Sequence, residues 1–145
     1  MVFKPETLRE RLKRLEEVIG RLERYRGQPL ERFIADVERQ WTVERGFILA
    51  AECMVDIGAH ILGGRLRIQP ADQEDAIQRL GVEGIISTEL AGRLRGFGGF
   101  RNILVHEYLR IDPARVHEYL ETHTDSLRGF VAEVAIWLER ECRGG

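Results

Sequence analysis

The sequence predicts an all-α fold, an antiparallel helical bundle of four long helices plus a short one, and three observations carry that reading. Leu8, Leu12, Leu15, Ile19 and Leu22 recur at alternating spacings of four and three, the period of a helix with one buried face. No stretch sustains the every-second-residue alternation of a half-buried strand. Stop and start signals at Gly27 with Pro29, at Gly63-Gly64 and at Asp112-Pro113 cut the chain into segments of helical length.

The elements follow in order. The 4-3-4-3 spacing of apolar positions predicts a first amphipathic helix over roughly 6–25, with Glu and Arg on its other faces. After the turn at Gly27 and Pro29, a second helix is expected over roughly 30–62, with Phe33, Val37, Trp41, Ile48, Ala51 and Val55 near one stripe, and Gly63-Gly64 stops it. Residues 65–72 read as a loop containing Pro70, followed by a short helix at about 72–80 that ends at Gly81. Ser87 caps the next helix, with Glu89 favourably placed in its first turn. Gly96, Gly98 and Gly99 weaken this helix just before Arg101, so it either kinks there or ends and restarts. Asp112 followed by Pro113 supplies an N-cap and a proline at the first helical position, so the last helix runs from about 113 to 141.

At 145 residues the chain is read as a single domain, 1–145, long enough to bury a core without staples. Hydrophobic residues at 43% and charged residues at 32% mark a soluble, folded protein. The formal net charge of -2 argues against a large non-specific nucleic-acid surface, though not against a small site acting on RNA. Lys4 and Lys13 are the only lysines among 22 basic residues, a bias that base composition can produce. Cys53 and Cys142 form no CxxC pair, so reduced thiols and a cytoplasmic location are expected. The first residues, Met1 to Glu6, lack the apolar core of a signal peptide. Residues 46–62 are apolar enough to resemble a membrane span, but Glu52, Asp56 and His60 interrupt them, so a buried central helix is expected and no membrane partner.

The chemistry concentrates in Arg101-Asn102-Ile103-Leu104-Val105-His106-Glu107-Tyr108. At about 100° per residue, Asn102 and His106 lie i,i+4 and Arg101 and Tyr108 lie i,i+7. All four polar groups then fall within about 160° of one helical face, with Glu107 pointing away. Arginine holds phosphate without losing its charge, and histidine exchanges a proton near neutral pH. Together they are a minimal kit for phosphodiester chemistry.

Two further clusters bear on the site. Glu52, Asp56 and His60 are spaced i, i+4, i+8 on an otherwise apolar helix. They read either as a solvated seam satisfied by arginines or as a seam that faces the motif and orients His106. No third or fourth ligand accompanies the pair of carboxylate and imidazole, so no metal and no cofactor are expected. Arg93 and Arg95 flank glycines and phenylalanines up to Arg101, a composition that suits either an RNA-contacting loop or a hinge with core aromatics. His117 and His123, on the last helix, read as surface residues.

The motif resembles that of HEPN ribonucleases, specifically the HepT-like toxins of bacterial and archaeal toxin–antitoxin pairs: Arg101, a polar residue, three more positions, then His106-x-Tyr108. The similarity extends to Asp56-Ile57-Gly58-Ala59-His60-Ile61, to Leu80-Gly81-Val82-Glu83-Gly84-Ile85-Ile86 and to Tyr108-Leu109-Arg110-Ile111-Asp112, so that it covers nearly the whole chain. The resemblance implies a HEPN-like bundle and metal-independent cleavage of RNA, by attack of the ribose 2′-OH on the adjacent phosphate. It implies His106 as general base or acid, Arg101 on the non-bridging oxygens, and Asn102 orienting the imidazole or binding substrate. Tyr108 would contact phosphate, stack on a base, or accept AMP from a nucleotidyltransferase (MNT-type) antitoxin. A homodimer would set two motifs across one cleft, which Glu52, Asp56 and His60 would line or support. The RNA substrate, tRNA or mRNA, stays open. A non-catalytic HEPN module that binds a nucleotide or the nucleotidyltransferase is the alternative.

Overall fold

A computed structural model describes residues 2–144, and among them the chain forms seven α-helices, one 3-10 turn and no strand. The helices are α1 (Pro5–Glu23), α2 (Leu30–Ala35), α3 (Val37–Gly64), α4 (Gln73–Val82), α5 (Thr88–Arg93), α6 (Phe97–His106) and α7 (Pro113–Gly144). The 3-10 turn, Tyr108–Arg110, joins α6 to α7. Leu8, Leu12, Leu15, Ile19 and Leu22 are all buried, as their spacing requires. α3 is long and apolar enough to cross a membrane, but Val43, Phe47, Ala50, Met54, Ile57 and Ile61 are buried in the bundle core. It packs against α1, α2, α4, α6 and α7.

Long-range contacts fix the directions. Arg9 reaches Cys142, and Glu23 takes a two-pronged bond from Arg128, so α1 and α7 run antiparallel. Lys4 meets His60 and Leu22 meets Gly46, so α1 is antiparallel to α3 as well. The three short helices between α3 and α7 carry the chain back to the end where α3 began. They place α6 and its motif on the flank of α3.

Two predicted helices are divided. The segment expected as one helix over 30–62 breaks at Asp36, whose backbone (φ -113°, ψ 85°) leaves the helical region. The Asp36 carboxylate accepts the Arg39 N–H at 3.0 Å and caps α3. Gln40 donates to the Phe33 and Ile34 carbonyls at 2.9 and 2.8 Å, satisfying the end of α2. The break shifts the phase of the buried stripe, so Val37 and Trp41 are exposed, Trp41 at 65%, while Val43 and Phe47 take the core positions. The helix capped by Ser87 likewise ends at Arg93 and restarts as α6 beyond Gly96. α7 continues to Gly144, past the expected end.

His117 and His123 are half-buried rather than surface residues. His117 Nε2 lies 2.7 Å from the Gln28 carbonyl, and His123 stacks on Tyr119 with ring centroids 4.1 Å apart. His60 is buried, and its Nε2 accepts the backbone N–H of Lys4 at 3.0 Å. Burial, and secondarily the Arg11 cation, hold its pKa below the ordinary 6.5. A protonated ring would turn an N–H toward the Lys4 N–H, donor against donor. The unfolded chain therefore binds this proton more readily than the fold, and stability rises with pH across the window. The contribution is complete above pH 6.5 and declines as the pH falls below it. Burial shifts His123 the same way. The thermal midpoint is expected to drop between pH 7 and 5.5, and His60→Gln to flatten part of that slope. A midpoint that rises on acidification over this range would contradict the assignment.

Candidate active site

The motif is carried by the C-terminal half of α6 and the turn that follows. Gly96, at the N-cap of α6, has φ +89°, a left-handed conformation that glycine adopts without strain. The Glu74 carboxylate of α4 accepts the N–H groups of Gly96 and Gly98, each at 2.9 Å, and so caps α6 from another helix. A Cβ on Gly98 would come within 3.0 Å of the Glu74 backbone, so the close approach of the two helices requires glycine there. Nothing in the sequence pointed to Glu74 as the anchor of the glycine-rich loop. On the inner side, Phe97 and Phe100 join Phe47 and Tyr119 in an aromatic cluster. Phe100 and Tyr119 stack nearly parallel with centroids 3.8 Å apart.

Arg101 lies against α3 with its side chain only 14% exposed. Its Nη1 donates to Asn102 Oδ1 at 3.2 Å, and its Nη2 stands 3.9 Å from Glu52 Oε1, a loose ion pair. Arg101 Nε is buried and has no hydrogen-bond acceptor among the described residues. Asn102 and His106 are exposed, one turn apart, on the same face of α6. His106 is the last helical residue, because Glu107 (φ -127°, ψ 52°) leaves the helix and binds Arg110 at 2.8 Å.

Tyr108 therefore does not share the helical face predicted from an i,i+7 spacing. It sits in the 3-10 turn, 76% exposed, beside Leu109 at 86%. Of the carboxylate and imidazole seam, Glu52 reaches Arg101, Asp56 is exposed, and His60 is spent on the N-terminal segment at Lys4. Among the described residues no three His, Cys, Asp or Glu side chains converge. Cys53 and Cys142 are free thiols, and burial pushes the Cys53 thiol up. Arg95 shares a 610 Å³ surface cavity with Asn102, Gly99 and Glu74, while Arg93 is exposed at the end of α5. Asn102 also borders a second cavity of 420 Å³, whose walls include Phe100, Ile103, Arg110 and Arg115. The arrangement offers an embedded guanidinium with donors to spare, an amide and an accessible imidazole within two turns, and an accessible phenol immediately after.

Residues 15–134 match the family described as Ribonuclease HepT-like. The chain is 30% identical over 114 residues to a protein of Aphanizomenon flos-aquae named tRNA nuclease HepT, covering 79% of this chain and 78% of that protein. Among solved structures, the cytosolic protein YutE of Bacillus subtilis superposes with a TM-score of 0.82 at 20% identity, covering 97% of this chain and 95% of that one. A tri-AMPylated HEPN toxin of Shewanella oneidensis, solved in complex with its MNT antitoxin, superposes with a TM-score of 0.80 at 22% identity, covering 89% and 96%. These likenesses show the same helical fold.

Proposed function

The chain belongs to the HepT-like ribonuclease family, and on that premise we propose that it is a metal-independent endoribonuclease toxin acting through Arg101, Asn102 and His106. The setting of Arg101 carries this reading. A guanidinium mostly withdrawn from water, whose one carboxylate neighbour stands at a loose 3.9 Å, is suited to gripping a phosphate through its Nη groups. His106 stands free one turn further on.

In the proposed reaction His106 takes the proton of the ribose 2′-OH as that oxygen attacks the adjacent phosphorus. The bond from phosphorus to the 5′-oxygen breaks, and the leaving oxygen is protonated. The products are a 2′,3′-cyclic phosphate and a 5′-OH. Arg101 neutralises charge growing on the non-bridging oxygens. Asn102, beside His106 on the helix, orients the ring or the substrate. Each motif offers a single imidazole, so the second proton-transfer group comes from the other copy of a two-fold homodimer.

Tyr108 is the proposed site at which a nucleotidyltransferase partner attaches AMP. Its exposure gives a modifying enzyme access, and the added anion would sit beside Arg101 and His106 and block the cleft. The relative named as a tRNA nuclease favours tRNA as the target. The neighbour named as cytosolic favours action in the cytoplasm, away from membranes.

The test is to incubate unmodified protein with total RNA in excess EDTA and analyse the product ends. Cleavage leaving cyclic phosphates is the expected result. No cleavage, by protein whose intact mass shows no added AMP, would leave a non-catalytic binding module.

A further inference from the structure

A groove of about 630 Å³ opens between α1 and α3, apart from the cavities that Asn102 borders. Arg14 and Arg21 line it from α1 and Arg45 from α3, with Tyr25, Trp41 and Leu49 among its other walls, and no carboxylate of the described residues lines it. In a chain with 24 acidic and 22 basic residues, that is a local separation of charge. Arg14 makes an exposed pair with Glu17 at 3.5 Å, a contact of little strength in water. Arg21 and Arg45 enter no ion pair among the described residues. A Cβ on Gly46 would sit 2.6 Å from Leu22 Cδ2, so the helices touch at the floor and the long side chains rise as walls.

The spacing has a direction. Arg14 and Arg21 stand two turns apart on α1, about 10 Å along the axis. Arg45 lies one turn from Trp41 on the opposite wall, and Trp41 is 65% exposed. A row of cations beside an exposed aromatic face suits the backbone and bases of a single strand, which need no base-edge recognition to bind. Along α3 the groove ends one turn short of the residue that meets the motif. Leu49 ends it, and Glu52, the next turn of α3, is the carboxylate that meets Arg101.

We propose that this groove is the track for a single-stranded segment of RNA running from the cleavage site, with phosphates against Arg14, Arg21 and Arg45 and a base stacked on Trp41. It rests on the nuclease reading, but binding tests it separately from cleavage. The experiment uses full-length His106→Ala protein and a fluorescein-labelled single-stranded oligouridylate, followed by anisotropy across a salt series.

Trp41→Ala is expected to weaken binding about tenfold. Arg21→Gln with Arg45→Gln is expected to lower the slope of log K against log salt by about 1.4, the release of counterions from two contacts. In Trp137→Phe protein, where Trp41 is the remaining tryptophan, the RNA should quench the fluorescence. Affinity and slope unchanged in both groove variants would overturn the proposal. If those variants instead split a dimer in sedimentation while RNA binding holds, the groove is an interface between copies and the proposal fails. Groove-dependent binding by wild-type protein that cuts nothing would spare the track and remove the nuclease.

Discussion

Replacing His106 with alanine is expected to slow RNA cleavage by about 10²- to 10⁴-fold, the usual contribution of a positioned general acid or base. The fold should be untouched. His106 is exposed, is the last residue of α6, and makes no side-chain hydrogen bond among the described residues. Helix content and the thermal midpoint of the variant should match the wild type, and growth arrest on production of the protein alone should disappear.

Arg101 calls for a different substitution. Its side chain is mostly buried against α3, so truncation to alanine would remove packing along with charge. Arg101→Lys keeps the charge and most of the stem but loses the planar fork, and about 10²-fold of rate should go with it. On the proposed mechanism the two residues serve one transition state, so the double variant should be little worse than His106→Ala alone. Full cleavage by His106→Ala would remove the residue from the reaction and the motif from the active site.

Which parts of this were legible in the sequence follows from where each signal resides. Ser87 caps α5 and Asp112-Pro113 opens α7 as read, because capping chemistry is local. The α1 stripe was legible for the same reason, since its buried positions repeat without interruption. The break at Asp36 was not. No glycine or proline marks it, and the groups that stabilise it, Asp36 and Gln40, read as ordinary polar residues of a helix. That single hidden cap misplaced Val37 and Trp41 in the core.

The end of α6 was hidden in the same way. Nothing between Ile103 and Tyr108 forbids another turn, yet the backbone leaves the helix at Glu107. Contacts across the fold left no local trace at all. Glu52 meets Arg101, and Glu74 holds Gly96 and Gly98, only because α4 and α6 pack where the chain returns to α3. The candidate motif could be picked out from the sequence, whereas the contacts that hold it in place could not.

The strongest test of that support is Phe47→Ala. Phe47 is fully buried on α3 and meets Phe97, Phe100 and Tyr119 edge-on, at centroid distances of 6.3, 5.5 and 6.2 Å. Removing a buried phenylalanine costs about 3–5 kcal/mol, so a large fall in denaturant midpoint is expected. The consequence for the site is more specific. α6 has ten residues, two of them glycine, and a helix so short and flexible has little stability of its own. Its position comes from Phe97 and Phe100 inside and from Glu74 at its start. Phe47→Ala opens a cavity beneath those two rings, so cleavage should fall even at temperatures where the protein remains folded. Leu62→Ala is the comparison, since Leu62 is as buried but lies fifteen residues along α3, about 22 Å from Phe47. It should lose about 2–5 kcal/mol and keep the activity of its folded fraction. Equal losses of activity per folded molecule in the two variants would mean that α6 is held by the stability of the whole bundle rather than by its aromatic cluster.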